Sequence, residues 1–173
     1  KSTVYIFFEK ENFKYEPYTY IGLSVIKGIL DLVYTEKVRE EEGGTYSVGV
    51  TFSGQLRPRE TAEGYISFDC DPARASELKS IIYNELDKLV KKGPDKENLE
   101  KSVKGILKTR EESKLHNTYW LNTLTRYYSY GINSDDPDNY EDILNSYTVR
   151  DIKKLAGRFF KNADIIDLVF KPQ

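Results

Sequence analysis

The hydrophobic and polar positions of this chain change their period several times, and each period predicts one kind of element. Alternation with a period of two predicts four strands, at 2–9, 45–53, 62–70 and 165–170. Spacing of three and four residues predicts a long and well-buried helix from 18 to about 41. The same spacing predicts further helices after Asp71-Pro72, after Asp95, around 120–128, at 140–147 and after Thr148.

Local signals mark several of the element boundaries. Asp71-Pro72 is typical of a helix start, with an N-cap aspartate and proline at the first helical position. Gly93-Pro94 predicts the end of that helix, and Asn133–Asp138 predicts a loop. Thr148-Val-Arg-Asp151 matches a capping box at the start of the last helix.

The order of these elements predicts the fold class. One strand and one helix are followed by two strands, which we expect to form an antiparallel pair joined by a loop of about ten residues. A run of helices and a closing strand complete the chain. This order predicts an α+β, two-layer domain with a mostly antiparallel sheet and helices packed on one face. At 173 residues, without an internal repeat, the chain fits a single domain 1–173.

Composition narrows the class of protein. Hydrophobic residues make up 39% and charged residues 31%, as in a globular domain. A net charge of −2 and a pI near 5.6 argue against a nucleic-acid surface. No apolar run approaches the roughly 20 residues that span a bilayer. Because the sequence opens at Lys1 and has no methionine, we expect a piece excised from a longer polypeptide.

Few residues in this chain suggest an independent active site. His116 is the only histidine, so a zinc site with two histidines cannot form within the chain. We expect His116 to be an ordinary surface or boundary residue and Cys70 to be a small, unreactive core residue. The aromatic residues of the helix that ends near Gly131 are expected to cover the core and the seams between helices. These residues include Tyr127, Tyr128 and Tyr130.

Arg39 and Tyr46 stand out because the Gly43-Gly44 turn brings a helix end and a strand start together. A guanidinium and a phenol on one lip can hydrogen-bond a carbonyl or a developing oxyanion. The residues alone leave an alternative open, since Tyr46 also begins a core-facing stripe. Arg39 could equally pair with a nearby glutamate of the run Glu40–Glu42.

The segment Arg39-Glu-Glu-Glu-Gly-Gly-Thr-Tyr-Ser-Val-Gly-Val50 resembles a family signature, R-E-x-x-G-G-x-Y-S-V. This is the signature of the pitrilysin/insulinase family of zinc metallopeptidases. The chain is most similar to the second, non-zinc-binding type of domain in the C-terminal halves of these enzymes. Thr148–Ala156 and Ile165–Pro172 also resemble the terminal helix and strand of that family.

The resemblance implies an α+β sandwich and a role in a composite active site. In the family, an H-x-x-E-H motif and a distant glutamate bind zinc in an N-terminal domain, over which the C-terminal half closes. Arg39 and Tyr46 match the pair that holds the substrate carbonyl and stabilises the tetrahedral intermediate. Gly43, Gly44 and Thr45, between them, are expected to contact the substrate.

By this resemblance the chain contributes no metal ligand of its own. The zinc, the general base and the peptide substrate belong with the N-terminal zinc-binding half, on the same polypeptide or on a partner subunit. The domain alone is then inactive, and a bacterial periplasm or cell envelope would suit the parent peptidase. Two alternatives stay open: a non-catalytic assembly domain of the same family, and a peptide-binding module that uses an exposed sheet edge.

Overall fold

A computed structural model of the chain describes residues 1–41, 48–132 and 137–172 and, of 39–41, 137 and 138, only the backbone. It confirms the predicted α+β class, with six α-helices and four strands in the described part of the chain. The elements in chain order are β1 (Ser2–Glu11), α1 (Pro17–Tyr34), a π-helix (Thr35–Glu41), β2 (Val48–Gln55), β3 (Thr61–Cys70), α2 (Ala75–Lys92), α3 (Lys96–Ser113), α4 (Asn117–Tyr130), α5 (Pro137–Ser146), α6 (Val149–Phe160) and β4 (Asp164–Phe170).

The four strands form one antiparallel sheet in the order β2-β3-β1-β4. The predicted antiparallel pair of β2 and β3 is therefore confirmed. Strand β1 lies between β3 and β4, so that Val4 is level with Phe68 on one side and Val169 on the other. The first and last strands of the described chain are thus neighbours in the sheet.

One face of the sheet, which we call the inner face, carries the core. Val4, Ile6 and Phe8 of β1 are buried on this face, as the alternation predicts. The α1 helix supplies more of the core than any other helix, and nine of its residues are buried. The buried residues of α1 are Thr19, Ile21, Gly22, Leu23, Val25, Ile26, Ile29, Leu30 and Tyr34.

The start and the packing of α1 follow from a few residues. Pro17 occupies the first turn, where its missing N–H costs no hydrogen bond, and the N–H of Glu16 donates to Thr19 Oγ1 at 3.1 Å. Gly22 lets α1 approach α6 closely, since a Cβ there would lie 2.2 Å from Leu155 Cδ2. The hydroxyl of Tyr147 donates to the carbonyl of Tyr18 and fixes the same contact.

Several predicted boundaries are wrong. The predicted loop Asn133–Asp138 falls outside the described residues at 133–136, and 137 and 138 already belong to α5, which was expected to start at Tyr140. The helix expected to start at Asp71-Pro72 begins at Ala75, because Asp71 Oδ1 accepts the N–H of Ala73 at 2.8 Å and forms a turn first. The loop between β2 and β3 has five residues, 56–60, rather than about ten, because both strands extend further toward the hairpin. The capping box at Thr148 is confirmed, with Asp151 N–H donating to Thr148 Oγ1 at 3.2 Å.

The prediction that Tyr127, Tyr128 and Tyr130 cover the core and the helix seams is also wrong. All three are exposed, and no residue of α4 is buried among the residues that the structure describes. The helical period of α4 was read correctly, and Gly131 ends the helix in the left-handed conformation. Periodicity identifies an apolar side of a helix but not the surface that covers it.

Strand β4 lies at the edge of the sheet, and all seven of its residues are exposed. Its register with β1 places Asp167 on the inner face, where Lys79 Nζ of α2 lies 2.9 Å from Asp167 Oδ2. On the outer face, Tyr5 and Phe7 stack with ring centroids 5.7 Å apart. Apolar side chains of β4 are exposed on both faces, Ile165 and Val169 on the inner face and Ile166 and Leu168 on the outer face.

Candidate functional site

The sequence-predicted site lies between the π-helix and β2. The backbone of Arg39 belongs to the π-helix, which continues directly from α1 and is described to Glu41. Gly43, Gly44, Thr45 and Tyr46 lie outside the described residues, as does the side chain of Arg39. The structure therefore gives the two flanks of the predicted site, and a π-helix is a feature often found at functional sites.

The flank on the helix side is anchored in the core. Tyr34, at the end of α1, and Val38, within the π-helix, are both fully buried. The Tyr34 hydroxyl donates to the carbonyl of Ile82 in α2 at 3.3 Å. Burial raises the pKa of this phenol well above its usual value, so it stays protonated. The chain thus enters the predicted site from a fixed position.

The flank on the sheet side is fixed by register. Val48, the first residue of β2, is level with Phe68 of β3, which is itself level with Val4 of β1. Val50 and Phe52 continue on the inner face and are buried. The described chain therefore resumes, after the predicted site, at a fixed position in the sheet.

The π-helix has a polar side as well as the buried side of Val38. Lys37 Nζ lies 3.5 Å from Glu36 Oε1 on the same turn. A groove of about 590 Å³ runs between α1 and α3, and its lining reaches Thr35 at the start of the π-helix. Lys27 and Asp31 form an ion pair on its wall. The groove extends away from Arg39 toward Arg110, so we do not assign it to the predicted site.

The described residues contain no group of three or more His, Cys, Asp or Glu side chains placed to hold a metal ion. His116 is exposed at the N-cap of α4, as predicted for a surface residue. Cys70 is buried, as predicted, and burial, with smaller effects of Asp71 and Asp69, raises the pKa of its thiol. The donor set needed for catalytic zinc does not exist in this part of the chain.

Sequence reasoning missed the outer face of the sheet. The registers place Glu63, Glu9 and Asp164 level with one another on β3, β1 and β4. They line a depression of about 370 Å³ together with the rings of Phe7 and Tyr65. The alternation within β1 predicts that Phe7 and Glu9 share a face, but only the register shows which residues lie opposite them.

Within the described ranges, none of the helices combines the length and the apolar character that crossing a membrane requires.

Comparisons with known proteins match this geometry. The family described as "Peptidase M16 inactive domain" matches residues 1–106, which include the segment from Arg39 to Val50. A protein from Arabidopsis thaliana described as "Zinc protease PQQL-like" is 31% identical over 113 residues, covering 62% of this chain and 12% of that protein. The chain therefore spans a small part of this relative's length.

Solved structures share the fold over almost the whole chain. The periplasmic protease PqqL from Escherichia coli aligns with a TM-score of 0.79 and 19% identity, over 99% of this chain and 19% of that one. A peptidase M16 inactive domain from Pseudomonas fluorescens aligns with a TM-score of 0.75 and 15% identity, over 98% of this chain and 41% of that one. The family match covers more than half of the sequence, and the chain belongs to the peptidase M16 inactive domain family.

Proposed function

We propose that residues 1–173 form one C-terminal-half domain of a longer zinc-dependent endopeptidase and complete the active site of a separate H-x-x-E-H domain. The observation that carries the proposal is the family match over residues 1–106, which contains the whole Arg39–Val50 segment. The names of relatives, a zinc protease and a periplasmic protease, agree with this role. The parent is proposed to work in the periplasm or cell envelope.

In this proposal Arg39 and Tyr46 act on the substrate carbonyl. The guanidinium and the phenol donate hydrogen bonds to the carbonyl oxygen, and these bonds strengthen as negative charge develops on that oxygen. The backbone of Gly43, Gly44 and Thr45 contacts the extended peptide beside them. The described residues on either side, Val38 in the core and Val48 in the sheet, are fixed, which agrees with a role that requires donors in fixed positions.

The hydrolytic chemistry comes from the partner half. A zinc ion there supplies the activated water that peptide hydrolysis requires. The described residues of this chain offer no metal site, so the role left to the chain is to bind and orient the peptide. The domain alone is therefore expected to be inactive.

The test compares the complete parent protein with its Tyr46→Phe and Arg39→Ala variants. Loss of one oxyanion donor typically lowers turnover by about 10²–10³-fold, so a hundredfold fall is the expected result for each. Zinc content and melting temperature should stay at the wild-type values. The matched controls are Tyr130→Phe and Arg150→Ala, which remove the same groups from exposed helical positions.

Two outcomes would contradict the proposal. Unchanged turnover in both variants would make Arg39 and Tyr46 structural residues. A parent that binds no zinc would favour the assembly-domain alternative, in which the fold is kept without catalysis.

A second candidate function rests on the exposure of β4. This strand forms one edge of the described sheet and carries apolar side chains on both faces. An extended peptide could add to such an edge through backbone hydrogen bonds. This function requires that the 173-residue chain bind fluorescently labelled extended peptides without zinc or a partner, which fluorescence anisotropy measures directly. Absence of binding at millimolar peptide would exclude it.

A further inference from the structure

The proposed function does not use the exposed apolar side of α4. With 100° between successive residues, five apolar side chains of this helix fall within an arc of about 120°. We call this arc the α4 stripe. Its members and their exposed fractions are Trp120 (44%), Leu121 (65%), Leu124 (52%), Tyr127 (52%) and Tyr128 (81%).

The helix that carries the stripe is held to the rest of the domain on another side. The guanidinium of Arg110 lies 5.7 Å from the ring centroid of Tyr119, and that of Arg57 lies 5.5 Å from the ring centroid of Tyr130. Trp120, itself a member of the stripe, is tied to the chain before α4, since its Nε1 donates to the carbonyl of Lys114 at 2.8 Å. The orientation of α4 is therefore defined, and the rest of the stripe is exposed.

A third side of α4 is polar, so the helix has a distinct solvent side as well. Thr118, Asn122, Thr125 and Ser129 share this side. The helix contains one charged residue, Arg126, although charged residues make up 31% of the whole chain. A contiguous apolar patch that is rich in Trp and Tyr and poor in charge is the composition of the buried centre of an interface.

We propose that the α4 stripe is the contact surface for a second domain of the parent polypeptide, one that presents an uncharged apolar face. This inference rests on the proposed function, in which the chain is one domain of a longer peptidase. The length of the relatives supports this occupant. The fold covers 41% of the Pseudomonas chain and 19% of PqqL, so most of each chain lies outside it.

The position of α4 makes such a contact compatible with catalysis. Arg57, which contacts Tyr130 of α4, follows Gly54 by three residues, and a Cβ at Gly54 would lie 3.7 Å from Tyr20 Cβ near the start of α1. Arg39 follows the opposite end of α1, and the 18 residues of that helix span about 27 Å. The proposed contact therefore lies toward the end of α1 that is opposite to the backbone of Arg39.

The test is photo-cross-linking in the complete parent protein. The photoreactive residue p-benzoylphenylalanine replaces Tyr128 in one variant and Thr125, on the polar side, in the control. We expect irradiation of the first variant to join α4 to a peptide from outside residues 1–173 of the same polypeptide, and the control to give little of this product. Mass spectrometry of the digested protein identifies the joined peptides.

Any other pattern overturns the inference. A product between two parent molecules would make the stripe a dimer contact. Products confined to residues 1–173, or equal yields at both positions, would mean that no second domain covers the stripe.

A second pair of variants tests the same surface through stability. Leu121→Glu combined with Leu124→Glu places two charges in the stripe, whereas Asn122→Glu combined with Thr125→Glu places two on the polar side. In the parent, the first variant should lower the melting temperature or split the transition in two, and the second should melt like the wild type. Equal melting of both variants would overturn the inference. Neither readout depends on turnover, so this test can fail while Tyr46→Phe still confirms the proposed function.

Discussion

The hydroxyl of Tyr83 on α2 donates to Asp167 Oδ1 of β4 at 2.6 Å, and Lys79 Nζ approaches the other carboxylate oxygen at 2.9 Å. These two contacts tie the edge strand to the helical layer. We predict that Asp167→Asn lowers the free energy of unfolding by about 1 kcal/mol, because it weakens a charged hydrogen bond and a half-exposed ion pair. Urea titration followed by circular dichroism measures the change.

The same substitution on the opposite face of β4 is the control for that measurement. Asp164 is level with Glu9, so Asp164→Asn removes repulsion between like charges instead of an attraction. It should leave the stability unchanged or raise it slightly. Equal loss of stability in both variants would mean that any change of charge in β4 is destabilising. The contacts of Asp167 with Tyr83 and Lys79 would then not explain the effect of Asp167→Asn.

The buried phenol of Tyr34 makes stability depend on pH at the alkaline end. Because burial raises its pKa in the folded state, its contribution is fully present below the unfolded pKa of about 10. Above that pH the unfolded chain releases the proton and the folded chain keeps it. The free energy of unfolding should then fall by about 1.4 kcal/mol per pH unit for this group.

Tyr34→Phe should make that alkaline fall less steep without abolishing it, because burial also raises the pKa of other tyrosines, Tyr83 and Tyr147 among them. Its cost at neutral pH is small, about 0.5–1 kcal/mol, since the bond to Ile82 is long at 3.3 Å. Tyr128→Phe removes a phenol at an exposed position and should keep the wild-type pH profile. Urea titrations between pH 8 and 11 compare the three proteins, with the range chosen around the reference pKa of about 10. A Tyr34→Phe profile as steep as the wild type would contradict the prediction.

Replacement of two helical glycines by alanine should change the free energy of unfolding in opposite directions. At Gly22 a Cβ would lie 2.2 Å from Leu155 Cδ2, so Gly22→Ala should lower the free energy of unfolding by about 1–3 kcal/mol. At Gly105 a Cβ would meet nothing within 4 Å, so Gly105→Ala should raise it by up to about 1 kcal/mol through helix propensity. Thermal melting of the two variants, with opposite shifts, checks the contact of α1 with α6.

The only cysteine should react slowly in the folded protein. Cys70 is buried, and the raised pKa of its thiol leaves little of the reactive thiolate at neutral pH. A disulfide reagent whose released thiol absorbs light can follow the modification of Cys70. The reaction should be no faster than the opening of the structure that exposes the thiol. Denaturant should restore the rate of an ordinary thiol, and fast modification without denaturant would contradict the burial.

Much of the fold could be predicted from period alone. Val4, Ile6 and Phe8 alternate with other residues, which correctly predicts one buried face of the sheet. The apolar residues of α1 lie on almost all sides of the helix, which correctly predicts that it is buried. The Asp71-Pro72 boundary was wrong because the same aspartate can cap either a helix or a turn. The apolar side of α4 was found, but its assignment to the core was wrong, because a sequence pattern does not identify the covering surface.

The candidate site depended on a different kind of signal. Spacing suggested that Arg39 and Tyr46 could act together, but only the resemblance to a peptidase family separated this role from a core tyrosine and a surface ion pair. The structure fixes the flanks at Val38 and Val48, and the contacts of the two side chains remain a prediction. The level positions of Glu9, Glu63 and Asp164 required the register of three strands, which no local pattern contains.

The pairing of β1 with β4 has a consequence for synthesis. Thr3 is level with Phe170, so the ladder between these strands closes over nearly the whole length of the chain. Pairings between such distant residues form slowly, because the chain loses the entropy of loop closure before the contacts that compensate for this loss have formed. During translation, which proceeds from the N-terminus, β1 must wait until β4 has left the ribosome. Until then it can pair with β3 alone, and its other edge is open to chaperones or to a neighbouring nascent chain.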